Sequence, residues 1–285
     1  MRRLRRSKLF VPGSRPELFA KAFASAADGI SFDLEDAVAA DRKDMARAAV
    51  AAALTAHAGS PKERIVRVNP LRSGMLFEDV MAVACPGLDT VNVPKVESPR
   101  DLHVADELLR HLEGKLGIPR PIALMPTIET PAGLRNALAI ATASPRVTAL
   151  QLGTGDLAAA TGLVPDTDRL TGIRMMLMLA AAEAGVDVLD SAFTNIADTA
   201  AFERDARSSK ALGYHGKSCI HPSQIALANK VFAPDAAEIE RARALVAAYD
   251  AAVARGVGAI AHAGGLVDYP IAEAARRLVE ATEGT

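Results

Sequence analysis

Four stretches of the sequence set ionisable side chains at the ends of short apolar runs. Gly29-Ile30-Ser31-Phe32 leads into Asp33-Leu34-Glu35-Asp36, three carboxylates within four residues. Arg67 interrupts the β-branched run Ile65-Val66-Arg67-Val68. Leu124-Met125-Pro126-Thr127-Ile128 closes on Glu129, and Leu150-Gln151-Leu152 runs through Gly153-Thr154-Gly155 to Asp156. A charge buried at a strand end needs a partner, because an isolated one is heavily penalised. Ion pairs across a barrel rim would account for one arginine and one carboxylate. Several carboxylates facing one arginine call instead for a hard divalent cation with oxygen ligands. Mg²⁺ fits, since it takes one or two protein carboxylates and keeps positions for water and substrate. Lys95, at the end of Thr90-Val91-Asn92-Val93-Pro94, offers the different chemistry of a Schiff base, which a metal pair makes redundant.

Other motifs carry less. Gly153-x-Gly155-x-x-Ala158 matches the loose dinucleotide fingerprint, but Asp156 puts a carboxylate where pyrophosphate would approach main-chain N–H groups. Gly216-Lys217-Ser218 resembles the end of a phosphate loop whose required first glycine is Ala211. Neither GxSxG nor HExxH is present, which argues against an esterase or a zincin. The six histidines lack metal-ligand spacing, and His215 and His221 read as structural.

These charged positions need strands that end together. Short runs, most of them hydrophobic on both faces as parallel strands are, fall at residues 9–12, 29–34, 65–69, 90–95, 122–128, 147–152, 186–190 and 216–220. Amphipathic helical stretches lie between them, among them 15–27, 41–57, 100–116, 132–143, 171–184 and 198–212. Ser98-Pro99 marks one helix start. Eight β-then-α units predict a closed (β/α)8 barrel, with a doubly wound open sheet as the alternative. Residues 1–232 form the expected catalytic barrel. Residues 233–285 form a helical extension, with a long helix at 236–255, a glycine-rich turn region at 256–265 and a final helix at 272–281.

Composition narrows the function. Lys and Arg number 33 against 34 Asp and Glu, and aromatics are 4% with no Trp. That excludes a dedicated nucleic-acid binder, which carries a basic excess and stacking platforms. Cys85 and Cys219 lie far apart without CxxC, a reducing-compartment pattern that predicts a cytoplasmic enzyme and two small buried thiols. No apolar run reaches the roughly 18 residues of a membrane span. The basic start, residues 1–8, lacks the apolar stretch of a signal peptide and reads as a solvated tail.

The chain resembles the citrate lyase β-subunit-like family, within the HpcH/HpaI aldolase–citrate lyase superfamily. The likeness rests on Leu9-Phe10-Val11-Pro12-Gly13-Ser14-Arg15-Pro16, Asp33-Leu34-Glu35-Asp36, Arg67-Val68-Asn69-Pro70, Val93-Pro94-Lys95-Val96-Glu97, Ile128-Glu129-Thr130, Gly155-Asp156-Leu157, Cys219-Ile220-His221-Pro222-Ser223-Gln224 and Val267-Asp268-Tyr269-Pro270. Each piece is short; eight in the family's order are specific. The resemblance implies a TIM barrel, Mg²⁺, and cleavage or formation of a carbon–carbon bond in short β-hydroxyacyl-CoA thioesters such as malyl-, citramalyl- or citryl-CoA, with an α-keto acid as the second product.

By that resemblance Glu129 and Asp156 hold the metal, and Arg67 and Glu129 contact substrate. Phe10, Arg15 and Lys21 line the CoA entrance. Asp268 is a catalytic aspartate delivered by a neighbouring subunit, which implies a homo-oligomer. Asp33, Glu35 and Asp36 support the metal site from behind, orienting its water. Where relatives carry a basic residue before this last motif, this chain runs Gly264-Gly265-Leu266-Val267-Asp268. Three other activities share such a barrel: a metal-dependent aldolase on free hydroxy-keto acids, a lyase subunit working on an acyl-carrier protein, and a thioesterase.

Overall fold

The structure is a computed structural model that describes residues 3–233 and 235–283. Eight parallel strands close into a barrel in chain order. They are β1 (Ser7–Pro12), β2 (Gly29–Asp33), β3 (Glu63–Arg67), β4 (Thr90–Val93), β5 (Ala123–Ile128), β6 (Ala149–Leu152), β7 (Asp187–Asp190) and β8 (Gly216–Cys219). Every expected strand is present, and the open-sheet alternative is excluded because β1 pairs with β8, Lys8 opposite Ser218 and Leu9 opposite Cys219.

Helices follow each strand: α1 (Phe19–Ala24), α2 (Lys43–Ala56), α3 (Leu76–Val83), α4 (Pro99–Leu116), α5 (Pro131–Arg135), α6 (Ala137–Ala141), α7 (Thr154–Thr161), α8 (Thr167–Ala184), α9 (Thr199–Ala211) and α10 (Pro222–Phe232). The Ser98-Pro99 signal holds: Pro99 opens α4, and the Asp101 carboxylate accepts the Ser98 N–H at 3.0 Å. Two expected helices are interrupted. The 15–27 stretch becomes a 3₁₀ turn at Pro16–Leu18 and then α1, and 132–143 breaks at Asn136 into α5 and α6.

The strands' outward residues, including Leu9, Ile30, Phe32, Val66, Val91, Leu124 and Leu150, join one apolar cluster with the helices. Ile65, Met125, Ala149 and Leu189 form a separate buried cluster. Side chains two residues apart share a strand face. Ile65 is therefore followed inward by Arg67, Met125 by Thr127 and Glu129, and Ala149 by Gln151. The apolar plug thus turns polar towards the C-terminal end.

At the opposite end the basic start is not the solvated tail expected. Arg5 is buried, donating to Glu63 Oε2 and Oε1 at 2.9 Å each and to Asp187 Oδ2 at 3.0 Å. Arg6 pairs with Asp28 at 2.8 Å. Of the two thiols, Cys219 is buried as expected, but Cys85 is only half-buried against the core. Among the described residues no helix is long and apolar enough to cross a membrane.

Arg5–Phe232 forms one compact unit, and the chain from Ala233 belongs to a second. The second contains α11 (Ala236–Val253), the antiparallel strands β9 (Ile260–His262) and β10 (Gly265–Val267), and α12 (Tyr269–Glu283). Its core is Tyr249, Val267 and Ala272 with Leu245 and Ile260. The glycine-rich turn region is a hairpin whose two turn residues, Ala263 and Gly264, both take positive φ, 49° and 84°, as a tight hairpin turn requires.

Candidate active site at the strand C-termini

A cavity of about 660 Å³ opens where the strands end. Phe10, Arg67, Glu129 and Asp156 line it, with Thr127, Gln151, Ser191 and Ser218 around them. Asp33 and Arg67 are register partners on β2 and β3, and the guanidinium donates to both carboxylate oxygens, at 2.8 and 2.6 Å. Arg67 also stands 5.0 Å from the centre of the Phe10 ring, a cation–π contact. Burial works against its charge, yet Asp33, Glu35 and Glu129 raise its pKa above the usual value.

Glu129 is the most perturbed carboxyl of this group. Burial first, then the charges of Glu35 and Asp156, push its pKa up to about 8, with the Lys95 N–H and Arg67 opposing. The Lys95 N–H donates to Glu129 Oε1 at 2.7 Å from a backbone with φ 53°. Pro94, which has no N–H, and this left-handed residue end β4 at Val93, two residues before the expected boundary. Gly153 lies behind Glu129: a Cβ there would fall 2.3 Å from Glu129 Oε2. The fingerprint glycine therefore makes room for a carboxylate.

Lys95 is the residue that sequence reasoning undervalued. Its ammonium stands 2.9 Å from Glu35 Oε1, 3.5 Å from Asp36 Oδ2 and 3.4 Å from Asp156 Oδ1. Burial opposes its charge, but Glu35, Asp36 and Asp156 raise its pKa and keep it protonated. A pKa raised in this way works against the neutral amine that a Schiff base needs. A signal existed in the placement of this lysine directly after a strand-ending proline.

Five carboxylates thus meet two cations at the rim. Glu35 is buried, and its Oε2 lies 2.8 Å from Arg67 Nη1 but out of line for a hydrogen bond. Among the described residues this oxygen accepts none. No group of three or more His, Cys, Asp or Glu with metal-site geometry occurs among the described residues. Glu129 and Asp156 nonetheless match the one or two carboxylates that Mg²⁺ takes. A buried oxygen that accepts no hydrogen bond and a carboxyl forced towards neutrality both favour an added cation here.

The other expected residues fall elsewhere. Arg15 and Lys21 are exposed on the segment after β1, Arg15 paired with Glu17, and neither lines the cavity. Asp36 is exposed, whereas Asp33 and Glu35 are buried. Asp268 belongs to the second unit, where its main-chain oxygen accepts the Ala272 N–H at the start of α12. His215 accepts the Val188 N–H through Nδ1, and His221 accepts the Ser223 N–H at the start of α10, so both have structural roles.

A closed barrel with a charged cavity at its strand C-termini defines the class of (β/α)8-barrel enzymes. Residues 6–222 match the HpcH/HpaI aldolase/citrate lyase family, and the chain belongs to that family. It is 37% identical over 283 residues to citrate lyase subunit beta of Leuconostoc mesenteroides subsp. cremoris, covering 98% of this chain and 93% of that one. With an L-malyl-CoA/beta-methylmalyl-CoA lyase of Cereibacter sphaeroides it shares 36% identity over 305 residues, covering 98% and 94%. Among solved structures, the protein CitE of Mycobacterium tuberculosis in complex with magnesium, acetoacetate and coenzyme A superposes with a TM-score of 0.76. The identity is 31%, and each chain is covered in full.

Proposed function

We propose that this chain is a Mg²⁺-dependent carbon–carbon lyase that cleaves or forms a short β-hydroxyacyl-CoA thioester. The observation that carries the reading is the convergence of Glu129, Asp156 and Arg67 on one cavity. Relatives named malyl-CoA lyase and citrate lyase subunit beta, and a CitE complex holding magnesium and coenzyme A, support it.

Glu129 and Asp156 would hold Mg²⁺, which when bound supplies Lewis-acid polarisation of the substrate's hydroxyl and carboxylate oxygens. The chain's own groups do the rest. Main-chain N–H groups at the start of α7 are open to a carboxylate, because Gly153 caps that helix without a side chain. In the cleavage direction the hydroxyl loses its proton to a base and the carbon–carbon bond breaks. An α-keto acid and an acetyl- or propionyl-CoA enolate result. Arg67, held by Asp33 and Glu35, stabilises the charge growing on the enolate. Asp268, delivered by the extension of a neighbouring subunit in a homo-oligomer, protonates the enolate carbon. Glu35 and Asp36 fix Lys95 and Arg67 and orient water at the metal. Phe10, Arg15 and Lys21 guide the thioester at the entrance.

The test is a Mg²⁺-dependent assay on malyl-, citramalyl- and citryl-CoA, scored separately for keto acid and free CoA. Keto acid with acyl-CoA supports the reading; free CoA without keto acid identifies a thioesterase and overturns it. The 37% identity to a citrate lyase subunit favours one second reading, action on an acyl-carrier thioester. Inactivity on CoA esters with co-elution of a carrier protein would establish that alternative.

A further inference from the structure

The cavity does not end at the metal carboxylates. It continues past Gly153 and Thr154 to Ser191, Thr194 and Asn195 after β7, and to Arg204 on α9. Six charged residues line it, and five of them are engaged. Arg67 is held by Asp33 and Glu35, Glu129 by the Lys95 N–H, and Asp156 faces Lys95. Asp166 pairs with Arg169 and accepts the Arg169 N–H at the start of α8. Asp205 is buried against Arg174 and Lys217, each 2.8 Å away. Arg204 alone is exposed with no ion pair or hydrogen bond among the described residues.

We propose that Arg204 determines specificity by taking a second carboxylate on the keto-acid half of the substrate, so that the chain prefers dicarboxylic over monocarboxylic α-keto acids. An uncommitted guanidinium in a cavity is a ready bidentate partner for a planar carboxylate. Position in the barrel selects which half of the substrate it reads. Arg204 follows β7, the neighbour of β6, and α7 after β6 carries Asp156, one of the two metal carboxylates. The keto acid's own carboxylate would be taken up at that metal, so an anion reaching Arg204 would be a further one. Arg15 and Lys21, assigned to the CoA side, follow β1 instead. This inference rests on the lyase reading for the two halves of the substrate, but its test is a binding measurement on free acids.

Calorimetric titration of the Mg²⁺-loaded protein compares oxaloacetate with pyruvate, and coenzyme A is titrated in parallel. The wild-type chain binds oxaloacetate at least about tenfold more tightly than pyruvate, the scale of a hydrogen bond to a charged group. Arg204→Gln brings that ratio to within about twofold, and Arg204→Lys retains an intermediate value. A wild-type ratio near one, or a ratio unchanged in Arg204→Gln, overturns the proposal. Weakened coenzyme A binding with the acid ratio intact also overturns it, because the anion at Arg204 would then be a phosphate. If no thioester is cleaved while the Arg204-dependent preference persists, the lyase reading fails and the role of Arg204 stands.

Discussion

Lys95 holds Glu129 with its main chain and Asp156 with its side chain: the N–H lies 2.7 Å from Glu129 Oε1, and Nζ lies 3.4 Å from Asp156 Oδ1. One residue thus fixes both proposed metal carboxylates. Its φ of 53° is a conformation that non-glycine residues rarely adopt, and it aims the N–H at the carboxylate.

Glu129 carries a proton at pH 7 in the metal-free protein, because its pKa is pushed up to about 8. Binding of Mg²⁺ at pH 7 is expected to release about one proton, read from calorimetric enthalpies in buffers of different ionisation heat. The release fades above pH 8. A raised carboxyl pKa gives stability that is complete below about pH 4.5 and lost as pH rises through 8. The metal-free protein therefore loses roughly 3–5 kcal/mol over that window, and Glu129→Gln flattens the loss. Proton release unchanged in Glu129→Gln would refute the assignment.

Gly153→Ala places a methyl group 2.3 Å from Glu129 Oε2 and 2.6 Å from its Cβ. The carboxylate must move, at about 1–3 kcal/mol of overpacking. Magnesium affinity is expected to fall at least about tenfold while circular dichroism stays native. Normal affinity in a folded variant would show that the site does not depend on this contact.

Lys8 is a second perturbed group, buried in the barrel with Nζ 3.0 Å from Asn92 Oδ1 and 4.4 Å from the Phe10 ring centre. Burial first, then Arg67, lower its pKa to about 7 against the pull of Glu63, Asp33 and Glu129. The folded chain binds one proton fewer than the unfolded chain between pH 7 and 10.5, so stability rises with pH across that range. The slope is about 1.4 kcal/mol per pH unit at most. Lys8→Met should remove this contribution in urea titrations at pH 7, 8 and 9. A slope as steep as wild type would mean that Lys8 stays protonated.

Arg174, Asp190, Asp205 and Lys217 form a buried network, with Lys217 Nζ 2.5 Å from Asp190 Oδ2. Lys217→Met leaves two carboxylates with one arginine and is expected to cost about 3–5 kcal/mol. Asp190→Asn added to Lys217→Met should recover part of that. Additive losses in urea denaturation would show that the two residues are not coupled.

Asp268→Asn is expected to keep magnesium affinity and lower kcat by at least about 100-fold, the scale of general acid–base catalysis. Full turnover in this variant would remove Asp268 from the reaction.

The eight strands were legible because most are short apolar runs bounded by turn residues, and both faces of a parallel barrel strand are buried. Arg67, Glu129 and Asp156 stood out because a charge inside or ending such a run is anomalous. Less visible was α7, whose start is masked by Gly153 and Gly155 and which was read only as a failed phosphate loop. Helices α3 and α10 were implied by the eight β-then-α units but could not be given bounds from the pattern. The role of Lys95 depends on a left-handed backbone, which pattern does not display. The role proposed for Arg204 depends on its having no ion pair or hydrogen bond among the described residues, which a sequence does not display. Arg5 looked like part of a basic tail because Glu63 and Asp187, its partners, are 58 and 182 residues away.

The pairing of β1 with β8, together with the Arg5 clasp on Glu63 and Asp187, has a consequence for biosynthesis. The first barrel strand to be synthesised waits for the last one, more than 200 residues later, before its free edge is covered. Until then that edge is exposed and the clasp is open, so nascent chains are vulnerable to aggregation through β1. Contacts of such long sequence separation make closure a slow, late event.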